Sequence, residues 1–370
     1  MVWNWQLKTW PSFSYAPERL QALEARFLLE SGRFFGAFSH FDEQERLELT
    51  IELISNEALK SSEIEGEMLN RDSLQSSIRK HFGLKVDTAR VPAAEQGMSE
   101  MMLDLYHNFA EPLSHEGLFD WHHKLMAGRR DIADIGCYRS SDEPMQVVSG
   151  YIHAPKVHFE APPSANIQEE MEAFIRWFND TAPNGRTPLP PLTRAGIAHI
   201  YFVTIHPFED GNGRVARALC EKALSQSMGQ PTLIALSQEI ERNKKAYYDQ
   251  LNKHNHTLQI DSWLEYFAES VLAANRYAQD LIAFLLDKAR LYARLQGNMN
   301  ERQEKVIARL FKAGPEGFRG GLSAENYISI TGTSRATATR DLQRLLELGA
   351  LKKTGELKGT RYWLNIGSPD

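Results

Sequence analysis

The sequence predicts a mainly α-helical protein, with one short β-hairpin set into the helical body and a small C-terminal domain resembling a winged helix-turn-helix. Three observations carry this. Apolar residues recur every three to four positions through most of the 370 residues. Strand character, β-branched and aromatic residues in short runs, is confined to 145–152 and 351–364. At Asn300 the charge balance changes: residues 300–370 hold twelve Lys/Arg against eight Asp/Glu, in a chain whose net charge is -6. These breaks give an N-terminal helical domain at 1–92, a helical core at 93–294 and the C-terminal domain at 295–370.

The start of the chain contains Trp3, Trp5 and Trp10 but no basic residues leading into an apolar run, so no secretory signal is read. The tryptophans are expected in the core or at a docking surface. No window nears the roughly twenty apolar residues of a membrane span. Cys137 and Cys220 suit a reducing compartment and are assigned neither disulfide nor metal. The cytoplasm is the expected location.

The N-terminal domain reads as helices at 17–31 and 42–59, the second with Leu47, Ile51, Ile54 and Ala58 on one face and Asp42, Glu43 and Glu45 in its first turn. Ser61-Ser62-Glu63-Ile64-Glu65-Gly66-Glu67 reads, on composition, as a helix end stopped at Gly66 with its carboxylates in water. Helices follow at 69–81, 93–109 and 117–126. His122 and His123, about 100° apart on a helix, cannot share a metal and are structural.

Gly136 to Arg139 and then Met145, Gln146, Val147, Val148, Ser149, Gly150, Tyr151 and Ile152 carry the strand character, read as a hairpin turning at Ser149-Gly150. A helix at 165–180 has Met171, Phe174, Ile175 and Phe178 on its apolar side. Thr193 reads as the cap of a helix that is apolar nearly all round and is placed at the centre of the domain, ending at Ile205. A helix at 215–228, the segment 236–255 with Asn243, Tyr247, Tyr248 and Asn252, and one or two closing helices at 260–294 complete the core. In the C-terminal domain the order is helix 301–313, helix 323–331, a turn at Gly332-Thr333, a helix capped by Ser334 to 348, and strands at 351–354 and 361–364.

The densest chemistry lies in His206-Pro207-Phe208-Glu209-Asp210-Gly211-Asn212-Gly213-Arg214-Val215-Ala216-Arg217. Gly211 and Gly213 free the backbone to turn successive amides inward as an anion nest at a helix N-terminus, where the helix dipole adds positive charge. Arg214 and Arg217, one turn apart, share a face for phosphate oxygens. Asp210 suits Mg²⁺, and His206 is the group that exchanges a proton near neutral pH. Asp210-x-Asn212 with Glu221 twelfth opens like a calcium loop, but Arg214 and Val215 occupy the fifth and sixth positions, where that loop needs a ligand and a glycine.

This stretch resembles, at every fixed position, the signature of the Fic family, enzymes that move AMP from ATP onto protein hydroxyls. The resemblance implies a helical Fic core in which His206 is the catalytic base, Gly211, Asn212, Gly213, Arg214 and Arg217 bind the nucleotide, Tyr248 borders the adenine and Asp210 holds Mg²⁺. It implies that Ser61, Glu65 and Gly66 form the inhibitory motif many members carry, with Glu65 paired to Arg217. It also implies that residues 145–152 are the flap that clamps a target segment by strand addition.

Expected partners are ATP, a protein target bearing a Ser, Thr or Tyr hydroxyl, the chain itself by self-modification, and a second copy, since autoinhibited members often form dimers. The reverse, AMP-removing reaction stays open. The alternative is a transcriptional regulator: Arg335, Thr337, Thr339 and Arg340 on the third C-terminal helix would meet DNA, with Lys352, Lys353, Lys358 and Arg361 on the wing and the core only sensing a nucleotide.

Overall fold

The computed structural model describes residues 2–86, 91–151, 154–315 and 317–367, without the side chains of 149–151, 154, 155 and 358. It divides into two compact units, Met1–Arg276 and Tyr277–Asp370. The described residues are mainly helical, with two antiparallel two-stranded sheets.

The first unit contains helices α1 (Gln21–Phe38), α2 (Glu43–Ile64), α3 (Arg71–His81), α4 (Ala93–Asn108) and α5 (His115–Leu125), and strands β1 (Gln146–Tyr151) and β2 (Ala154–Glu160). Helices α6 (Ile167–Asp180), α7 (Pro191–Ile205), α8 (Asn212–Met228), α9 (Leu236–Arg242) and α10 (Lys244–His254) follow, and α11 (Asp261–Leu295) runs across the unit boundary. Helix α7 is buried nearly all round, as its apolar sequence requires. Gly196 lets α11 approach it, since a Cβ there would lie 2.8 Å from Leu264 Cδ2. Phe27 of α1 and Ile51 and Ile54 of α2 belong to the same apolar core as Ile200 and Phe202 of α7 and Leu219 of α8. The early helices are thus packed against the centre of the unit.

Two local expectations are corrected. Helix α7 begins at Pro191, which places Thr193 inside its first turn, and the cap comes from Glu24 on α1. That carboxylate accepts from the amides of Leu192 (3.0 Å) and Thr193 (2.8 Å) and from Thr193 Oγ1. The segment 236–255 is two helices broken at Asn243. In the hairpin, Ser149 and Gly150 lie within β1 and pair with Lys156 and Pro155 of β2, a strand the sequence reading did not assign. Its Val157 and Phe159 do alternate. Ile152 lies outside the described residues.

Glu57 of α2 and Glu221 of α8 line one pocket. Glu57 accepts from Ser237 N (2.9 Å), and burial raises its carboxyl to about 7. Glu221 accepts from Thr232 Oγ1 (2.7 Å) and Leu233 N (2.9 Å); burial raises it to about 8, with Glu57 adding repulsion. Both groups hold protons in the fold that the unfolded chain has released by about pH 5, so the stability they contribute is lost as pH rises through about 7 to 8. Buried His199, held down to about 3, and His206, to about 4, work oppositely: their contribution is present above pH 6.5 and lost as pH falls toward those values. Above pH 6.5 the acid effect remains, opposed from about pH 8 by Lys222, whose ammonium burial brings down to about 8. Thermal unfolding is therefore expected to show Tm falling between pH 6.5 and 7.5, with a shallower fall in Glu221→Gln, which keeps the acceptor used by Thr232 and Leu233.

The second unit holds α12 (Glu301–Phe311), α13 (Ala324–Thr331), α14 (Arg335–Glu347) and the antiparallel strands β3 (Leu351–Thr354) and β4 (Arg361–Leu364). Asn300, Ser323 and Ser334 cap the three helices by accepting from the amides of Gln303, Asn326 and Thr337. Asp341 on α14 accepts from Arg302 Nε (2.8 Å), Asn300 Nδ2 (3.1 Å) and the Tyr327 hydroxyl (3.0 Å), tying the helices together.

Candidate active site

The site is the corner between α7 and α8. Helix α7 ends as His206 takes a left-handed conformation (φ 52°), a costly state for a residue with a Cβ. Arg139 holds it there: its amide donates to Pro207 O (2.9 Å) and its Nε to His206 O (2.9 Å), while its other nitrogens reach Ser164 Oγ (2.9 Å) and Pro162 O. Phe208, fully buried, stacks on His122 with ring centroids 4.1 Å apart. Asn212 closes the loop through both ends of its amide, accepting from Phe208 N (3.0 Å) and donating to Phe208 O (2.8 Å). What Asn212 offers an anion is therefore its backbone N–H. With Gly211 left-handed at the N-cap (φ 81°), the first intrahelical bond is Val215 N to Gly211 O, which leaves the amides of Asn212, Gly213 and Arg214 without intrahelical acceptors.

His206 Nδ1 lies 3.3 Å from Val203 O. A carbonyl can only accept, so Nδ1 carries the proton and Nε2 keeps its lone pair. Burial brings the imidazole down to about 4, against the Val203 carbonyl, with Arg139 lowering it and Glu65 and Asp210 raising it. It is neutral at physiological pH, ready to accept a proton.

Helix α2 ends opposite this corner. Gly66, left-handed at φ 85°, allows the chain to reverse: Gly66 N donates to Glu63 O (3.0 Å) and Glu67 N to Ser62 O (3.0 Å), the paired bonds of a Schellman cap. The reversal delivers two carboxylates to α8. Glu65 Oε1 lies 2.8 Å from Arg217 Nη2, whose guanidinium also donates to Ser61 Oγ (2.9 Å) and Ser61 O (2.7 Å). Glu67 Oε2 lies 2.5 Å from Arg214 Nη1. Both arginine side chains are almost fully buried, 3% and 1% exposed for Arg214 and Arg217. Burial pulls Arg217 down, but Glu65 and the Tyr247 and Tyr248 phenols outweigh it and the net shift is upward. A Cβ at Gly213 would lie 2.2 Å from Glu65 Oε1, so this glycine admits a carboxylate directly onto the start of α8.

Even so, Arg214 Nε and Arg217 Nη1 are buried with no acceptor among the described residues. Asp210 pairs with Arg129 Nη1 (2.9 Å) and Arg214 (3.6 Å) and accepts from Gly211 N (2.5 Å); burial would raise its carboxyl, but these partners outweigh it and the net shift is down. One ionised, partly exposed carboxylate beside an anion nest fits Mg²⁺, which is held by one or two carboxylates with phosphate oxygens and water. Among the described residues no three His, Cys, Asp or Glu side chains gather into a metal cage.

The structure thus brings together His206, Asp210, Gly211, Asn212, Gly213, Arg214 and Arg217 with Ser61, Glu65 and Gly66. Tyr248 is 37% exposed, near enough to Glu65 and Arg217 for their charges to act on its phenol, which burial raises, Glu65 raising it further and Arg217 lowering it. Tyr247 beside it is committed to the core, its hydroxyl 2.8 Å from His199 Nε2. In the hairpin Val147 and Val148 are exposed and Met145 half-buried. Reading residues alone missed the roles of Glu67 and Arg129 and took Arg139 only as part of the approach to the hairpin. Glu67 had a signal, since it flanks the same helix-ending glycine as Glu65; the two arginines act across loops and leave no local pattern.

The Fic/DOC family model matches residues 112–224, and that of a domain of unknown function (DUF4172) matches residues 3–84. The protein adenylyltransferase Fic of Nematostella vectensis is 31% identical over 134 residues, 36% of this chain and 27% of that protein. Protein adenylyltransferase fic-1 of Caenorhabditis elegans is 29% identical over 133 residues, 36% of this chain and 22% of its own length. These matches span about a quarter of the relatives' length. A Fic family protein from Desulfovibrio desulfuricans G20 shares the fold, with a TM-score of 0.51 at 19% identity over 94% of this chain and 97% of that one. Fic-1 of C. elegans gives 0.50 at 22% identity, over 71% and 73%. Residues 112–224 of this chain are a Fic/DOC family domain.

Proposed function

We propose that the chain is a protein adenylyltransferase, moving AMP from ATP to a Ser, Thr or Tyr hydroxyl of a target protein, and that it rests in an autoinhibited state. The observation that carries this reading is the pair of buried guanidinium donors without acceptors, Arg214 Nε and Arg217 Nη1, beside the free amides of α8. Buried donors left unpaired are costly, and phosphate oxygens would satisfy them.

His206 Nε2 takes the proton as the target oxygen attacks the α-phosphorus; the bond from that phosphorus to the β-bridging oxygen breaks and pyrophosphate leaves. The amides of residues 212–214 and Arg214 hold phosphate oxygens, Arg217 takes the γ-phosphate, and Tyr248 borders the base. Asp210 would hold Mg²⁺, which when bound supplies positive charge to the phosphates. In the resting chain Glu65 lies over Gly213 and pairs with Arg217, so ATP cannot seat its γ-phosphate. A carboxylate there would also orient a water for AMP removal.

The test is mass spectrometry of the Glu65→Gly chain after incubation with ATP and Mg²⁺, looking for AMP on this chain or an added acceptor. AMP adducts are expected; another phosphate-containing adduct, or none with ATP bound, overturns the reading. For the second unit, the exposed face of α14 with Arg335, Thr339 and Arg340, beside exposed Lys352 and Lys353, favours DNA as a second partner. Thr337 instead helps form the cap at Ser334, and the side chain of Lys358 lies outside the described residues. A gel shift at physiological salt with the chain's own promoter region tests this, and no retarded band removes it.

A further inference from the structure

Residues 3–5 open the region matched by the family model of unknown function, and they bond to the end of α7, the end of α10 and strand β2 at once. Asn4, buried, donates its amide to Asn255 O (2.7 Å) and its Nδ2 to His254 O (3.1 Å) and Thr204 Oγ1 (3.2 Å). Thr204 lies two residues before His206 on α7. Trp5 Nε1 donates to Glu160 O (2.7 Å) on β2, and Asn255 Nδ2 donates to His158 O (3.0 Å). The Trp3 ring meets buried Phe159 edge-on at 5.4 Å and stacks on His256 at 4.7 Å.

The hairpin register shows which edge this occupies. Ala161 N donates to Met145 O (2.9 Å), so Gln146 and Glu160 are a non-hydrogen-bonded pair whose own peptide groups face away from the partner strand. Glu160 O therefore lies on the outer edge of β2, where Trp5 covers it, and the peptide groups of Gln146 face the outer edge of β1. An uncovered edge can accept another strand; a covered one cannot.

We infer that residues 3–5 are a clasp that positions the hairpin: they close the β2 edge, tie it to the end of α7 that carries His206, and leave β1 as the edge that receives an acceptor strand. Trp3, Asn4 and Trp5 are positioning residues, remote from the reacting atoms. The inference rests on reading the hairpin as the target-binding edge.

The experiment replaces Trp5 with Phe in the Glu65→Gly chain, removing the N–H and keeping a ring. Trp10→Phe is the control, because Trp10 Nε1 donates to Glu170 (2.9 Å) on α6 and not to the hairpin. Two readouts are taken: hydrogen exchange of amides 156–160, and AMP transfer from ATP to carboxymethylated α-lactalbumin, an extended hydroxyl-bearing acceptor. Trp5→Phe is expected to speed hairpin exchange and raise acceptor KM, each roughly five- to tenfold for one lost hydrogen bond. The values of kcat and KM for ATP should hold, and Trp10→Phe should change neither readout. Unchanged exchange, or faster exchange with unchanged acceptor KM, overturns the clasp. Absence of any transfer from the Glu65→Gly parent would count against the adenylyltransferase reading, while the exchange result still decides whether residues 3–5 hold the hairpin.

Discussion

Glu65→Gly is expected to raise AMP transfer and ATP affinity by on the order of 10²-fold or more. Removing one partner of a buried charge pair leaves the other uncompensated, a penalty of about 2–5 kcal/mol that a γ-phosphate can relieve. In the resting chain Glu65 and Ser61 hold Arg217 through Nη2 and Nε, so ATP must displace a 2.8 Å ion pair and evict a carboxylate from the space above Gly213. Glu67→Gln tests whether the hold is double. Arg214 is as buried as Arg217 and meets Glu67 at 2.5 Å, so this variant alone should improve ATP binding by a smaller factor, Arg214 retaining Asp210 at 3.6 Å. Because both carboxylates leave one Schellman turn, their effects should not add: in a double-mutant cycle, loss of Glu65 loosens the turn that presents Glu67. Binding of a non-hydrolysable ATP analogue to the four chains measures this directly. Equal affinity in the parent and Glu65→Gly would show that the carboxylate does not exclude nucleotide.

How much of this was legible depended on whether the physics is local. The loop from His206 to Arg217 announces itself, because the left-handed turn at Gly211, the free amides behind it and arginines three apart need particular residues at fixed spacing. The burial of α7 was equally plain, since a helix apolar on every side has nowhere else to go. The Glu24 cap on α7 was not, because its donors lie some 170 residues further along the chain and Thr193 offered a plausible local substitute. Arg139 was legible as part of the approach to the hairpin, yet its work is to hold two carbonyls at the catalytic corner, which only the folded chain brings within reach. Strand β2 was not assigned: Pro155 near its start runs against strand propensity, yet it pairs close to the hairpin tip, where a missing N–H costs little. The tryptophans were placed as core or docking residues; Trp5 and Trp10 spend their N–H groups on partners about 160 residues away.

His206 should carry the chemical step and nothing else. In the Glu65→Gly background His206→Ala is expected to lower kcat by about 10²- to 10⁴-fold, the usual contribution of a positioned general base, with ATP affinity little changed because the imidazole makes no phosphate contact in this reading. His206 sits at φ 52°, where alanine is strained, so His206→Asn is the better variant: asparagine tolerates the left-handed region and lacks a base. Loss of transfer in both variants, with retained nucleotide binding, separates chemistry from folding. The pH profile supplies a second criterion. A base works deprotonated, so kcat/KM rises with pH through the free-enzyme pKa and levels above it. An ordinary imidazole would place that rise near 6.5, whereas burial holds this one down to about 4. Glu65 pulls it upward, so removing that carboxylate moves the rise lower still. Transfer by Glu65→Gly should therefore be flat from pH 5.5 to 7.5 wherever the fold persists. A rise centred near 6.5 would mean that the titrating base is solvated, and that the proton leaves by a group other than His206.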